Sequence, residues 1–173
     1  MSESAEKSEK PEKSEKTARP RPSAERFFVL PAGARRPGRV PLPPGFAVKA
    51  RTHDTEGRLS VLETRLDIDI PPHIHHEADE FLYILEGEME VDLDGETHRL
   101  TPGMCVLLPH GIPHALRNAS RPPARCLQIS SPGGWEQFVE DMFEAGPVVM
   151  TDGHPDLDRL NEIGAAHGME YRR

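Results

Sequence analysis

Apolar and polar residues alternate in short runs through the middle of the chain, a pattern typical of half-buried β-strands. The strictest run, residues 88–94, places its apolar side chains on one face and its acids on the other. Asp94-Gly95 ends this run and is a typical hairpin turn. Together these runs predict roughly eight to ten short antiparallel strands, enough for a jelly-roll barrel with its core at about residues 46–130.

Two further segments are more apolar than this pattern. Residues 26–30 (RFFVL) predict a short strand. An extended loop is expected to follow it over residues 31–45, which are rich in proline and glycine. Residues 104–108 form a nearly continuous apolar run. Such a run is typical of a strand that is buried on both sides, so we expect both of its faces to be covered.

Beyond residue 131 the hydrophobic period changes to that of an amphipathic helix. The apolar stripe consists of Trp135, Phe138, Val139, Met142 and Phe143. The pattern predicts helices at about residues 134–145 and 155–167, with Gly168 as the stop of the second. We expect both helices to cover the outside of the barrel, and we interpret Trp135 and Phe138 as packing residues, not as contacts to a cofactor.

The first 24 residues have the composition of a disordered tail. They contain no large apolar residue after Met1, and their five acids nearly balance their six bases. The chain is therefore expected to consist of a disordered low-complexity tail, residues 1–24, and one domain, residues 25–173. A domain of that length buries a sizeable core without disulfide bonds.

Charge and hydropathy argue against several classes of partner. The formal net charge of −8 disfavours nucleic acid and anionic membrane surfaces. No apolar run is long enough to span a bilayer, and the N-terminus lacks the apolar stretch of a signal peptide. We expect a cytoplasmic protein, in which Cys105 and Cys126 are two buried thiols.

Three histidines and one glutamate have the spacing of a metal site. His73 and His75 lie two residues apart, so a β-strand places both imidazoles on the same face. Glu80 opens the next apolar run, and His114 begins a later strand. Imidazole and carboxylate ligands suit one divalent transition metal ion, but this ligand set does not choose between iron, manganese, cobalt, nickel, copper and zinc.

The other histidines have structural interpretations. His76 follows His75 on the same strand and should point to the opposite face. His110 lies between Pro109 and Pro113, which exclude a regular helix, so it should be a loop residue. The remaining histidines are expected at solvent-facing or distant positions: His53, His98, His154 and His167.

The candidate ligands belong to two motifs that resemble those of the cupin family. The first motif is His73-x-His75-x4-Glu80-x6-Gly87, in which Asp67 stands at the place of the opening glycine. The second motif is Gly103-x5-Pro109-x-Gly111-x2-His114-x3-Asn118. Residues 55–63 and 131–143 also resemble the flanks of quercetinase-like single-domain cupins.

The resemblance implies an all-β fold, the double-stranded β-helix or jelly-roll barrel of cupins, with the C-terminal helices attached to it. It supports His73, His75, Glu80 and His114 as metal ligands. It also implies that Glu80 is the catalytic base, the role proposed for the motif glutamate of quercetinases. Because the strands before the first motif of cupins commonly close one sheet or exchange with a neighbour, a homodimer is expected as well.

Strand parity places several apolar side chains around the site. These expected pocket-wall residues are Leu82, Ile84, Met89, Val91 and Leu116. An apolar chamber around a charged centre suits an enolisable aromatic small molecule. By resemblance we expect a metal-dependent dioxygenase with a flavonol-like substrate. The alternatives are a non-redox isomerase or cyclase at the same metal, and a non-catalytic protein that binds or senses a small molecule.

Overall fold

A computed structural model describes residues 27–146, 150–151 and 154–173 of the chain. Two five-stranded antiparallel sheets face each other and enclose an apolar core, as predicted for an all-β barrel. The predicted disordered tail, residues 1–24, lies outside the described residues.

The strands between residues 46 and 131 and the two helices follow the order that the hydrophobic pattern predicts, and three further short strands beyond residue 149 were not predicted. The strands are β1 Phe46–Ala50, β2 Ser60–Arg65, β3 Ile70–His75, β4 Asp79–Glu86, β5 Met89–Leu93, β6 Glu96–Leu100, β7 Cys105–Leu108, β8 His114–Asn118, β9 Arg125–Ser131, β10 Met150–Thr151, β11 His154–Pro155 and β12 Met169–Tyr171. The helices are α1 Trp135–Glu144 and α2 Leu157–Gly164, with short 3-10 helices at Thr52–Thr55 and Ala165–His167.

The strand order explains how distant parts of the chain meet. The first sheet has the order β1-β2-β9-β4-β7, and the second has the order β12-β3-β8-β5-β6. β10 and β11 form a separate two-stranded pair. As a result the first predicted motif contributes strands to both sheets, β3 to the second and β4 to the first, and their inward faces oppose each other.

The hairpin between β5 and β6 confirms the clearest alternation in the sequence. Met89 and Val91 are fully buried in the core, as the pattern over residues 88–94 predicts. Asp94 and Gly95 have positive φ angles of 51° and 81°, which a two-residue primed turn requires. The turn therefore fixes the register in which the apolar face of β5 points inward.

Two motif residues hold the loop after β8. The Asn118 side-chain amide donates to the carbonyl of Ser120 (2.7 Å), and its oxygen accepts from the backbone N–H of Ala124 (2.8 Å). Gly87 packs against the same loop: its φ is 69°, and an added Cβ would lie 2.8 Å from the Cα of Ala124. Both residues therefore shape the barrel.

The prediction that both faces of residues 104–108 are covered is wrong. β7 is an edge strand that pairs only with β4 among the described strands, and Leu107 is 54% exposed. Cys105 is exposed too, so only Cys126 is the buried thiol that was expected. A continuous apolar run does not separate an interior strand from an edge strand, because β7 buries Leu108 while its outer face stays uncovered.

The strand predicted at residues 26–30 is absent from its described part, residues 27–30. Phe27 and Val29 are 81% and 78% exposed and belong to no sheet. Apolar side chains alone do not make a strand, because the backbone also needs a neighbouring edge for its hydrogen bonds. The homodimer that the resemblance implies stays a prediction.

Both predicted helices are present, but α1 has a different place from the one expected. α2 begins at Asp156, whose carboxylate accepts a hydrogen bond from the backbone N–H of Arg159 (3.0 Å), and Gly168 reverses the chain after it with a φ of 64°. Instead of covering only the outside, α1 places Trp135 and Phe143 on the wall of an interior cavity. No helix among the described residues has the length and apolarity needed to cross a membrane.

Two buried carboxylates attach α1 to the segment between β1 and β2. Glu136 accepts hydrogen bonds from the backbone N–H (2.7 Å) and the hydroxyl (2.9 Å) of Thr52. Glu140 accepts a hydrogen bond from the guanidinium of Arg51 (2.8 Å), and both side chains are buried. Because each carboxylate has a specific polar partner, the helix has one favoured position on the barrel.

Replacing Arg51 with methionine should lower the free energy of unfolding by about 3 kcal/mol, because the Glu140 carboxylate stays buried without its charged partner. Chemical denaturation measures this loss. An added Glu140→Gln substitution should restore part of it by removing the stranded charge. Arg39→Met, which removes the exposed ion pairs with Asp141 and Glu144, should cost less than about 1 kcal/mol. Equal losses for Arg51→Met and Arg39→Met would contradict the assignment.

Candidate metal centre

Four buried side chains from three strands meet between the two sheets. His73 and His75 come from β3, Glu80 from β4 and His114 from β8. One nitrogen or oxygen atom of each residue lies within 4.8 Å of the corresponding atoms of the other three. The structure thus brings together all four residues that the sequence spacing singled out, in a cluster that can hold a metal ion.

The register of the second sheet explains why the imidazoles converge. His73 lies directly opposite His114 across the β3–β8 pair, with their ring centroids 4.3 Å apart. His75 is two residues further along β3 and therefore faces the same side; its ring stacks on His114 at 5.4 Å. Glu80 reaches the same point from the opposing sheet.

Backbone carbonyls set the orientation of two of the rings. The Nδ1 atom of His73 lies 2.9 Å from the carbonyl of Pro71, and the Nδ1 atom of His114 lies 3.0 Å from the carbonyl of Ile112. A carbonyl oxygen only accepts, so Nδ1–H is the donor in each pair. The lone pair of each ring is therefore on Nε2, which is the atom that a metal ion would use.

The cluster contains polar atoms that are buried without a hydrogen bond. Nε2 of His75, Nε2 of His114 and Oε2 of Glu80 have no hydrogen-bond partner among the described residues. Glu80 Oε2 is 3.2 Å from His75 Nε2 and 3.6 Å from His114 Nε2. Two atoms bound to one ion at about 2.1 Å are at most about 4.2 Å apart, so both pairs fit a shared cation. A bound ion would satisfy all three atoms at once.

Burial and mutual proximity set the protonation of the cluster. Burial, together with the neighbouring His114 and His75, lowers the pKa of His73 to about 3. For Glu80, burial acts to raise the pKa, but His114 and His75 outweigh it and hold the pKa well below its usual value. At neutral pH the cluster therefore offers a neutral imidazole at His73 and a carboxylate at Glu80, the forms that bind metal.

Gln128 holds the second oxygen of the glutamate, and the sequence reasoning missed it. Its side-chain amide on β9 donates to Oε1 of Glu80 at 2.8 Å, and both side chains are buried. This bond leaves Oε2 directed at the imidazoles. The signal in the sequence was parity: Gln128 is a polar residue at an inward position between Cys126 and Ser130, both of which are buried.

An apolar cavity of about 560 Å³ leads to the cluster. Leu82, Met89 and Leu116 lie on its wall, together with His73 and Glu80 of the cluster. The other two expected wall residues are Ile84 and Val91, which are fully buried in the core but do not line the cavity. Strand parity predicted that both side chains point inward, but not how deep they lie. They pack in the core with Leu82 and Met89 and do not reach the cavity.

Two aromatic residues from the C-terminal region also border the site. The ring of Trp135 lies 5.5 Å from that of His75, so the interpretation of this tryptophan as a packing residue alone is incomplete. Tyr171 on β12 stacks on His73, with ring centroids 5.4 Å apart. Burial and then the charge of Glu80 raise the pKa of Tyr171, so its phenol stays protonated at neutral pH.

The remaining histidines lie outside the cluster, as expected. His76 is exposed, with its Nε2 3.2 Å from a carboxylate oxygen of Glu170. His110 is a loop residue, with its Nδ1 2.7 Å from Asp79. The others are His53, His98, His154 and His167, and none of them belongs to the group of four.

Comparison with protein-family models gives one match, the family described as Cupin domain, over residues 65–130. That span contains the four clustered residues, Gln128 and both predicted motifs. It does not include α1, α2 or β12, which supply Trp135 and Tyr171.

Among curated proteins the chain is similar to "Polyketide synthase CurC" of Streptomyces cyaneus, with 36% identity over 98 residues, 57% of this chain and 64% of that protein. The chain thus spans slightly under two thirds of that relative's length. It is 30% identical to "Protein SchB" of Streptomyces halstedii over 114 residues, 65% of this chain and 72% of that protein. A likeness to "Quercetin 2,3-dioxygenase" of Bacillus subtilis (strain 168) reaches 38% identity, but covers 29% of this chain and 15% of that enzyme.

Acidification should destabilise the metal-free protein through His73. The unfolded chain binds a proton at this residue below its ordinary pKa of 6.5, whereas the folded protein resists protonation until about pH 3. Neutral His73 stabilises the folded protein fully above the ordinary pKa, and this stabilisation is lost as the pH falls towards the lowered pKa. At pH 5 the loss is about 2 kcal/mol.

Denaturant titrations at pH 7 and pH 5 measure this loss. Between pH 7 and pH 5, the free energy of unfolding of His73→Phe should fall by about 2 kcal/mol less than that of the wild type. His98→Ala, which changes an exposed histidine, should show the wild-type loss. An unchanged pH dependence in His73→Phe would contradict the assignment.

Proposed function

The chain belongs to the cupin family, and from this membership and the geometry of the centre we propose that it is a metal-dependent enzyme acting on an enolisable aromatic small molecule. The observation that carries the proposal is a set of three buried donor atoms without hydrogen bonds, one of which, Oε2 of Glu80, belongs to a residue that lines an apolar cavity. Leaving such atoms unpaired costs free energy of folding, which a bound cation and its ligand would offset.

The residues that would hold the ion are His73, His75, Glu80 and His114. The donor set of three imidazoles and one carboxylate fits iron, manganese, cobalt, nickel, copper and zinc alike. When bound, a divalent transition metal supplies Lewis acidity, which stabilises negative charge on an oxygen of the substrate.

Glu80 is the proposed proton acceptor. Its Oε1 is anchored by Gln128, while Oε2 has no hydrogen-bond partner among the described residues. Because Gln128 holds Oε1, Oε2 is the oxygen that would serve as the metal ligand and, when it is not bound to the ion, as the proton acceptor. The histidines keep this group ionised, because their proximity holds the pKa of Glu80 below its usual value despite burial.

The cavity supports an aromatic substrate. Its volume of about 560 Å³ lies in the range of small-molecule sites. Leu82, Met89 and Leu116 present apolar surface, and Trp135 presents an aromatic ring. Because His73 and Glu80 of the cluster line this cavity, a planar apolar molecule bound there would direct its oxygen atoms towards them.

The reaction we propose is dioxygenation, the addition of both atoms of dioxygen to an enolisable, flavonol-like substrate. The local likeness to quercetin 2,3-dioxygenase supports this choice. A second candidate is non-redox isomerisation or cyclisation at the same centre, which the longer alignment with a protein named as a polyketide synthase favours. Both candidates need the same proton acceptor, and only the first consumes oxygen.

Removing one ligand should remove the ion and leave the barrel folded. His73→Ala and His114→Ala should each lower the metal content of the purified protein by at least about tenfold, because a metal site depends on its full ligand set. Elemental analysis after purification without added metal gives the content, and circular dichroism reports the fold.

The matched control is His98→Ala, because this exposed histidine is remote from the cluster. It should keep the wild-type metal content. If His73→Ala retains the ion at the wild-type level, the four residues do not form the metal site.

Glu80→Gln tests the proton acceptor separately from metal binding. The amide keeps the shape of the side chain but does not accept the substrate proton, so turnover should fall at least about 100-fold while some ion is retained. Oxygen consumption and product formation with quercetin, a flavonol, measure the effect. Unchanged turnover would exclude Glu80 as the base, and substrate consumption without oxygen uptake by the wild type would favour the non-redox reaction.

A further inference from the structure

We propose that Tyr171 is a substrate-binding residue whose phenolic O–H donates a hydrogen bond to an oxygen of the ligand at the metal centre. The inference rests on the proposed function in one respect, that the cavity accepts a small molecule with oxygen atoms directed at the cluster. Tyr171 lies on β12, outside the region that matches the Cupin domain model, residues 65–130.

The backbone of β12 places the tyrosine beside the cluster. Tyr171 is directly opposite His73 in the β12–β3 pair. Its backbone N–H donates to the side-chain oxygen of Asn161 (2.6 Å), and its carbonyl accepts from the Asn161 amide (3.0 Å). The next residue, Arg172, donates its backbone N–H to the carbonyl of Pro72 (2.7 Å). Contacts on both sides therefore fix the position from which the side chain projects.

The ring is held between two other rings. His73 stacks on it at 5.4 Å with an interplanar angle of 23°, and Phe138 lies 6.4 Å away at 29°. Such a sandwich leaves only the edge of the phenol available for polar contacts. Tyr171 is also one of the residues that line the cavity.

The hydroxyl group of Tyr171 has no hydrogen-bond partner among the described residues. The side chain is 93% buried, since 7% of the residue is exposed. The phenolic oxygen makes no hydrogen bond to any residue in the described ranges 27–146, 150–151 and 154–173. Phenylalanine would supply the same ring stacking, and the described fold makes no use of the phenolic oxygen, which is not one of the fully buried unpaired atoms. Packing therefore accounts for the ring and does not account for the hydroxyl.

The chemistry of the position identifies the partner as an acceptor oxygen. A neutral phenol has one O–H to donate. The Glu80 carboxylate lines the same cavity but accepts no hydrogen bond from this O–H, and neither does any other described residue. A carbonyl or enolate oxygen on the ligand would satisfy it and would fix the ligand's orientation relative to Glu80.

The test uses the full chain loaded with zinc and the probe tropolone, a small enolic molecule with two adjacent oxygen atoms. Tropolone binding is followed by the change in its near-ultraviolet absorbance. Tyr171→Phe should raise the Kd about tenfold, the effect of one lost hydrogen bond to a charged oxygen. Its zinc content and Tm should match or exceed those of the wild type, because only an unpaired hydroxyl is removed.

Tyr83 is the matched control, because the chain has two tyrosines and this one is 40% exposed on β4. Tyr83→Phe should bind tropolone as the wild type does. In that variant Tyr171 is the only tyrosine, so ¹³C labelling of tyrosine Cζ gives a single signal, which should shift when tropolone binds. Tyr171→Leu should lower the Tm as well, since it also removes the ring between His73 and Phe138.

A wild-type Kd in Tyr171→Phe, or a Cζ signal that does not move on binding, would overturn the inference and leave Tyr171 a packing residue. Absence of tropolone binding to the zinc-loaded wild type would overturn it as well. Failure of the proposed function gives a different combination of results. If the wild type shows neither turnover nor oxygen uptake but Tyr171→Phe still weakens tropolone binding, the substrate-binding role stands and the catalytic role falls.

Discussion

A carboxylate buried between two β-sheets is the constraint on which the rest of this protein depends. Glu80 is 1% exposed, and a charge in that position is costly unless other groups compensate for it. One oxygen is satisfied by Gln128 on the neighbouring strand of the same sheet. The other faces the imidazoles of the opposing sheet without a hydrogen bond. The two sheets must therefore keep both their registers and their separation for the cluster to exist.

The elements outside the family's common region complete the site. β12 adds the edge strand of the second sheet and brings Tyr171 against His73. α1 places Trp135 beside His75, and its buried Glu136 and Glu140 fix it to the segment after β1. The cavity is thus formed jointly by the barrel and by C-terminal elements. The four clustered residues that could hold a metal ion are carried by the barrel, while part of the surface that a ligand would touch is carried by these additions.

Part of the cavity wall thus comes from a different region of the chain than the four clustered residues, which matters for function. The same barrel with the same four residues is compatible with several reactions. Imidazole and carboxylate donors do not choose a metal, and a metal does not by itself choose a substrate. The choice depends on the cavity wall, whose surface here is mostly apolar but includes charged residues besides Glu80. Trp135 and Tyr171 are two of its residues that lie outside the region matched by the family model, residues 65–130.

The sequence by itself determined the strands that alternate strictly, the two motifs and the four clustered residues. These follow from local rules, since parity and turn chemistry act over a few residues, as at Asp94-Gly95. Tertiary structure decided which strands lie at an edge, so the apolar run at residues 104–108 is exposed on one face and the segment 27–30 is unpaired. It also decided that Gln128, Trp135 and Tyr171 reach the site, and that Ile84 and Val91 do not line its cavity. Contacts between residues this far apart in the chain depend on how the sheets and helices pack, and no pattern within one segment encodes them.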